Sequence, residues 1–551
     1  MTSNPLESGA PGDLSRSFSK LVVSSNVASD AIELQKFSEF APGDIVVEMS
    51  NVLEMRPKEK KEVISKDQPK LPRNWYVWAT AMAALSSSLF LVIFWCTNIF
   101  GDTILSNLVI RNGTTAYDFW QRSPVRLLYK IYIFNYTNVD DFESGKVNKL
   151  KVQELGPYIY RETLKRVNIQ IHDNGTASYQ EERSFQWEGG SPDDEPVVVP
   201  NVPLLSTVSY SRDMTYPLRF LLNIILGTLQ QKTFVNVNAG EFLWGYDDKL
   251  FKAVKAAMIF KKSVPYDKFG ILASANGVSQ DRITMHTGTD DLNNLGLITR
   301  INGKARQNVW DDERCDRIYG TDGSVFPPNW VSDRNRTLYV YVKELCRPLP
   351  FRFEGYNQAH GIPSLRYKMS TDAFNASATK SCYCPKMAAD SSIRKCPPPG
   401  IFNSSACNFN TPTLFSFPHF YGADKSVYES IDGLKPDKNL HESYLDLHQR
   451  LSMPMGGSSK MQLNIEVRKA IGLAYTGKLK DGTILPLMWC DTTVDTLPRN
   501  VLNILYDAHF IAAFVEIFFQ WGSIVILLGS IVALVFTLKR HRIRCNTVSN
   551  A

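Results

Sequence analysis

The side chains that could do chemistry are few and clustered. Seven of the nine cysteines lie between residues 101 and 510: Cys315, Cys346, Cys382, Cys384, Cys396, Cys407 and Cys490. Six of these fall within 93 residues, and Cys490 stands alone behind Trp489. An odd count leaves one thiol over, and Cys490 is the one expected to stay free. Cys382-Tyr383-Cys384 is not a C-x-x-C pair, so zinc is disfavoured and disulfides are favoured. Six cysteines permit fifteen pairings, among which the sequence does not choose. His441-Glu442 is followed by His448, which is the wrong spacing for zinc on one helical face. His419, between Pro418 and Phe420, reads as a structural hydrogen-bonding histidine. The chain contains no G-x-S-x-G, H-E-x-x-H or phosphate-cradling G-x-x-x-x-G-K-S/T. An enzyme is therefore not expected, and neither a catalytic set, a metal nor a cofactor is called for.

The elements that must position these residues are bounded by two apolar runs. Trp75–Phe100 is 26 residues without a charge, and Ile517–Leu538 is 22. Each is long enough to cross a hydrocarbon core of about 30 Å. The first begins too late and runs too long for a cleaved signal peptide and reads as a signal anchor. The expected division is a polar, mostly disordered tail (1–74), a first span (75–100), an outer domain (101–510), a second span (511–538) and a short tail (539–551). Lys58, Lys60, Lys61, Lys66, Lys70 and Arg73 precede the first span, and Lys539, Arg540, Arg542 and Arg544 follow the second. That bias places both termini in the cytoplasm. Sequons at Asn112, Asn135, Asn174, Asn335, Asn375 and Asn403 all fall in the outer segment, as glycosylation requires. Cys545 beside Arg544 is a candidate palmitoylation site. The net charge of +6 is small for 551 residues, so nucleic acid is not an expected partner.

The outer segment alternates between two periodicities. Val125–Tyr136 has the spacing of a strand, as do Val167–Ile171, Leu338–Val342 and Met461–Val467. Asn174-Gly175 is a hairpin-type turn. Ile484–Trp489 is a short apolar run whose Pro486 suits an edge strand. From Thr215, Leu218, Leu221, Leu222, Ile225, Leu226 and Leu229 recur at helical spacing. This helix is either buried in the core or a docking surface for apolar ligands. Lys249–Lys262 is a second helical stretch carrying Lys252 and Lys255, with Lys232 upstream. It reads as a solvated charged face or as a site for anionic ligands. Gly522-Ser523 and Gly529-Ser530 in the second span read as close helix packing rather than as part of a channel.

Several short motifs occur together between the two spans. They are Gly156-Pro157-Tyr158, Leu243-Trp244-Gly245-Tyr246, Gly320-Thr321-Asp322-Gly323 with Phe326-Pro327-Pro328, Cys382-Tyr383-Cys384, Pro418-His419-Phe420 and Asp432-Gly433-Leu434 with Pro436. In this order they resemble the class B scavenger receptor family over residues 75 to 540. The resemblance implies an α+β fold, with two transmembrane helices flanking a disulfide-stapled ectodomain. That ectodomain would have an antiparallel β-barrel-like core, an apical helical bundle (about 214–262) and an internal hydrophobic tunnel. Matching cysteine by cysteine implies Cys315–Cys382, Cys346–Cys407 and Cys384–Cys396 within the Cys-rich region 315–407. It also implies ligand binding on the apical helices, at Leu218, Leu221, Leu222, Ile225, Leu229, Lys232, Lys252 and Lys255. The 74-residue N-terminal tail and Cys490 depart from the family pattern.

The expected function is capture of lipids, lipoproteins or anionic lipid-bearing particles, with lipid passed to the bilayer through the tunnel. The alternative is a sorting receptor for a lumenal protein. The expected location is the plasma membrane, with endosome and lysosome as the alternative, and a homo-oligomer is an open option.

Overall fold

The computed structural model describes residues 75–258, 267–310, 312–375, 378–385, 394–408 and 410–549. The expectations for the tail before Trp75 and for Lys261 and Lys262 lie outside the described residues. Among the described residues, two helices are long and apolar enough to cross a membrane. The first, α1 (Trp75–Cys96), stops short of Phe100. Thr97 and Asn98 interrupt it, and Asn98 Nδ2 instead donates to Asp102 Oδ1 (3.2 Å) at the start of α2 (Ile99–Ser106). Short polar side chains compete for backbone and local partners in this way at helix ends.

Eleven strands form one antiparallel path. In chain order they are β1 (Leu127–Tyr136), β2 (Leu150–His172), β3 (Thr176–Gly190), β4 (Gly277–His286), β5 (Ile298–Ile301), β6 (Leu338–Val342), β7 (Arg347–Ala359), β8 (Ile362–Met369), β9 (Tyr444–His448), β10 (Pro454–Glu466) and β11 (Ile484–Val494). Their spatial order is 5-4-3-2-1-11-10-9-8-7-6. Every neighbour is therefore a sequence neighbour except β1 and β11, the first and last strands, which pair from Leu127↔Val494 to Ile133↔Met488. The β2–β3 hairpin turns at Asn174-Gly175, with Gly175 at φ +67°. Edge pairing at the ends of such a sheet exposes unpaired backbone groups, and closure into a barrel removes them.

Closure here is indirect. Among the described residues β5 and β6 do not pair with each other. Gly320-Thr321 lies between them and joins both: Ile298 N donates to Gly320 O (2.9 Å), Thr321 N to Tyr339 O (3.0 Å) and Tyr341 N to Thr321 O (2.8 Å). Gly320 has φ +113°, and a Cβ there would lie 2.6 Å from Tyr339 O, so only glycine fits. The G-T-D-G motif is thus the strip that completes the ring.

Pro486 occupies a more central strand than the sequence suggests. β11 is flanked by β1 and β10. The β1 ladder, however, ends at Met488, so Pro486 faces only Asn464 of β10, beside a bulge. The missing N–H is tolerated because pairing is one-sided at that point.

β1 relates the two ends of the barrel. Val125 and Val494 pack with α2 and with α6 (Arg499–Tyr506), through Ile104, Val501 and Leu505. The other end of β1, at Tyr136, packs on Phe234, with Val199 and Val202 in the same cluster. Ten residues of strand separate these ends by roughly 30 Å. Beyond Val202 lies a bundle of α3 (Val202–Tyr210), α4 (Tyr216–Thr228) and α5 (Lys249–Met258), held together by Leu204, Val208, Leu226 and Leu250. The helical bundle therefore caps the end of the barrel away from the membrane helices.

α6 continues through a π-helical turn (Asp507–Ile511) into α7 (Ala512–Ser549), which packs antiparallel on α1. Thr80 and Thr537 hydroxyls lie 3.1 Å apart and Ser87 and Ser530 hydroxyls 2.9 Å apart, and Trp95 Nε1 donates to Gln520 O (3.0 Å). Ser523 and Ser530 serve helix packing as expected, but nothing lies against Gly522 or Gly529.

Three disulfides are formed: Cys315–Cys382, Cys346–Cys407 and Cys384–Cys396. Cys315 and Cys382 belong to a second hydrophobic cluster with Trp310, Phe326, Trp330 and Phe374. Among the described residues Cys96 and Cys490 are free.

Candidate functional site

A cavity of about 1290 Å³ occupies the membrane-side half of the barrel. Its mouth is lined by Phe94, Ile99, Phe100, Ile511, Ala512 and Val515, from the ends of both membrane helices and the segments next to them. Drug-sized ligands occupy clefts of roughly 300–1,000 Å³, so this cavity has room for a lipid. Its depth can be read strand by strand. The lining ends at Tyr129 on β1, Glu162 on β2, Arg183 on β3, Met461 on β10 and Thr492 on β11. The next inward residues, Tyr160, Phe185, Leu463 and Cys490, belong to the packed cluster that also contains Ile133, Phe134 and Leu487. A solid core therefore separates the cavity from the helical bundle.

Strand alternation brings charge into this wall. Successive side chains of a strand point to opposite faces. Tyr160, Glu162, Leu164 and Arg166 of β2 consequently share a face, as do Tyr179, Glu181, Arg183 and Phe185 of β3. Register sets Arg166 opposite Glu181 and Leu164 opposite Arg183. Arg166 pairs with Asp322 of the closing strip (2.6 Å) and is almost fully enclosed. Arg183 Nη2 (3.0 Å) and Lys343 Nζ (2.9 Å) both donate to one oxygen, Glu181 Oε2. Burial alone would raise the Glu181 pKa, but the two cations outweigh it and hold the carboxyl at about 2. Glu162 is 4% exposed, no hydrogen bond reaches its Oε1, and Arg183 Nε lies 3.6 Å away. Burial raises its pKa against the pull of Arg183, and the neighbouring charge of Glu181 adds to the rise.

The helical end presents a different surface. α4 is amphipathic in an unusual sense, because its outer face is apolar. Leu218 and Leu221 are each 54% exposed, in company with Tyr216, Phe220, Ile224 and Ile225. Leu222 and Leu229, expected as ligand contacts, instead pack inward against the bundle. Helical spacing puts them on the side of Leu226, which is fully buried. Lys232 is exposed just after α4. The positive charge of α5 is partly met from flanking loops: Lys252 is bonded to Asp247, and Lys255 Nζ lies 2.7 Å from Asp267. Such exposed pairs contribute little to stability.

His419 has the structural role expected of it. Its Nδ1 accepts from Lys435 N (3.1 Å), and its Nε2 meets Glu154, which also accepts from Trp489 Nε1 (2.8 Å). His441 stacks on it at 4.8 Å. Cys490 is half-buried beside Thr492, and burial pushes its thiol up to about 12. Of the sequons, Asn112, Asn174 and Asn335 are exposed. Asn135 and Asn375 are partly buried, with side-chain oxygens accepting from Val198 N and Gly400 N. Asn403 is 6% exposed and its Oδ1 accepts from Ser405 N (3.0 Å). Cys545 lies on α7, but its side chain is outside the described part.

The charged wall is what the sequence reading missed. Glu162, Arg166, Glu181 and Arg183 look like the solvent side of a hairpin. The available signal was that they share their strand faces with Tyr160, Leu164, Tyr179 and Phe185.

Comparison with known proteins accords with this architecture. A model of the CD36 family matches residues 78–538. The chain is 32% identical over 396 residues to Scavenger receptor class B member 1 of Bos taurus, covering 71% of this chain and 75% of that protein. It is 30% identical over 443 residues to Lysosome membrane protein 2 of Mus musculus, covering 79% and 88%. The human Lysosome membrane protein 2 is 29% identical over 439 residues. With its antiparallel barrel between two apolar helices, its three disulfides and these matches across most of its length, the chain belongs to the CD36 family of class B scavenger receptors.

Proposed function

We propose that the protein is a receptor that binds lipids, lipoproteins or lipid-bearing particles and exchanges lipid with the bilayer through its barrel. The observation that carries this reading is the cavity itself, whose mouth is formed by residues at the membrane ends of α1 and α7. An apolar chain gains about 0.8 kcal/mol per CH₂ on leaving water. A conduit that opens at the bilayer spares it re-exposure. The apolar outer face of α4 would dock the particle, with Lys232 beside it as a contact for anionic head groups. Both termini would be cytoplasmic, the sequons would be glycosylated and Cys545 would be palmitoylated. Plasma membrane is the proposed site of action.

The test is uptake of a fluorescent sterol or fatty acid by cells expressing the chain, against Ser459→Trp. Ser459 lines the cavity and is remote from α4. Uptake should fall several-fold in the variant at equal surface expression, while particle binding persists. Unchanged uptake would remove the cavity from the route.

A second reading is a sorting receptor for a lumenal protein in endosomes or lysosomes. The exposed apolar face of α4 favours it, since a patch of this kind marks interaction sites, and one relative carries the name Lysosome membrane protein 2. Leu218→Glu with Leu221→Glu should abolish co-precipitation of such a protein. Under the first reading the same pair lowers particle binding at the cell surface.

A further inference from the structure

The two membrane helices differ in length, and the excess lies beyond the end remote from the barrel. α1 has 22 residues and α7 has 38, roughly 33 Å and 57 Å at 1.5 Å per residue. A hydrocarbon core of about 30 Å is matched by α1 alone. The Thr80–Thr537 and Ser87–Ser530 hydroxyl pairs fix the register between the helices. Each step up α1 is a step down α7, so Trp78 stands level with Lys539 and Trp75 with Arg542. Trp75, Tyr76 and Trp78 are exposed, as are Trp95 and Trp521 at the barrel end, whose rings meet at 6.0 Å. Aromatic rings so placed mark head-group level on the two sides of a bilayer. Lys539, Arg540 and Arg542 therefore lie in the head-group layer remote from the barrel, and α7 runs on as helix to Ser549.

These three cations are exposed. At 3.6 residues per turn they fall within about 160° of one another, on the side of α7 away from Thr537 and α1. Among the described residues no carboxylate pairs with them. No acidic residue follows Glu516 in the sequence, and Glu516 is bonded to Arg450 beside the barrel (2.9 Å). Phe536, one turn nearer the core, is exposed on the same side. The positive-inside bias explains why cations occur here, and a flexible tail would satisfy it. It does not require three of them to be held at one depth on one face of a helix. A rigid trio within one turn fits a head group with several phosphate charges, its acyl chains lying along Phe536. We infer that this end of α7 is a binding site for polyanionic inositol phospholipids of the cytoplasmic leaflet. Juxtamembrane cations attract such lipids electrostatically. The ligand is lipid of the surrounding bilayer, met on the side of the membrane opposite the barrel. This inference rests on the cytoplasmic placement of both termini proposed above and is independent of lipid exchange through the barrel.

The test uses the purified full chain in detergent and water-soluble dioctanoyl lipids, with binding followed by thermophoresis. Dioctanoyl phosphatidylinositol bisphosphate should bind about tenfold or more tighter than dioctanoyl phosphatidylserine or phosphatidylcholine. Lys539→Gln, Arg540→Gln and Arg542→Gln together should weaken the bisphosphate lipid by about tenfold or more. Arg540→Lys with Arg542→Lys should keep it. The melting temperature of each variant separates misfolding from lost recognition. Free inositol trisphosphate should compete more weakly than the lipid, and equal competition would identify a soluble ligand and overturn the lipid assignment. Equal binding of the bisphosphate lipid and phosphatidylserine, or unchanged binding by the triple variant, overturns the site. An epitope appended after Ala551 should be reached by antibody only in permeabilised cells. Labelling of intact cells overturns the orientation and the cytoplasmic ligand with it, whereas the binding outcomes overturn the site alone.

Discussion

At the residue scale, histidine gives the molecule a definite response to acid. His441 and His448 are both buried, and both are held at about 4 instead of the ordinary 6.5. Burial is the main cause in each, with the charge of His419 adding to it at His441. His448 is fully committed as a neutral ring: Nδ1 accepts from Arg450 N (3.2 Å) and Leu451 N (3.0 Å), and Nε2 donates to Leu505 O (3.1 Å). The unfolded chain takes up protons below about pH 6.5, whereas the folded chain refuses them until about pH 4. Stability is therefore full above pH 6.5 and falls as the pH drops toward 4, by at most about 3 kcal/mol per histidine. Melting followed by tryptophan fluorescence should show this, since Trp489 lies 5.8 Å from His441. The melting temperature should decline between pH 7 and 4.5, and less steeply in His441→Asn. A flat profile would show that neither ring is held neutral by folding.

At the element scale, the disulfides differ in what they restrain. Cys346–Cys407 spans 61 residues and Cys384–Cys396 spans 12. Loop-closure entropy assigns about 4 kcal/mol to the first and about 3 to the second. Paired alanine substitution of Cys346 and Cys407 should therefore lower the melting temperature more than substitution of Cys384 and Cys396. The reverse order would mean that local packing around the short bridge outweighs chain entropy. These elements also show what the sequence made readable. Strand periodicity marked β1 and β6, and Thr215 marked the start of α4, where it stands as N-cap. Pairing of cysteines and closure of a barrel are contacts between distant residues, and local periodicity carries no trace of them. The charges of β2 and β3 escape a sequence reading for the same reason. Alternation tells which side chains share a face, and only the closed ring tells which face is inside. Leu222 and Leu229 were grouped with Leu218 because one helix can be apolar on two sides, one facing its bundle and the other facing out.

At the scale of the whole molecule, the cavity opens at the membrane helices and ends inside the barrel, where the packed cluster around Phe134 and Leu487 is its stopper. Under the proposed lipid-exchange reading, cargo docked at the helical end would reach the cavity only if that stopper parts. Stiffening it should slow transfer without altering capture, so Ile133→Phe should uncouple the two in a paired binding and uptake assay. Equal losses in both would place the obstacle elsewhere. The closing strip bears on the same question in mechanical terms. A ring under outward pressure yields where its circumference is weakest. Most of this ring is stitched by ladders many residues long, but Gly320-Thr321 contributes three backbone bonds, one to β5 and two to β6. Cys315 lies five positions before Gly320 and Cys346 four after Val342, so a covalent tether stands on either side of the gap. The Gly320-Thr321 strip is therefore where opening of the ring should first be seen, as faster hydrogen exchange at the Thr321 and Tyr341 amides than along the β1–β2 ladder.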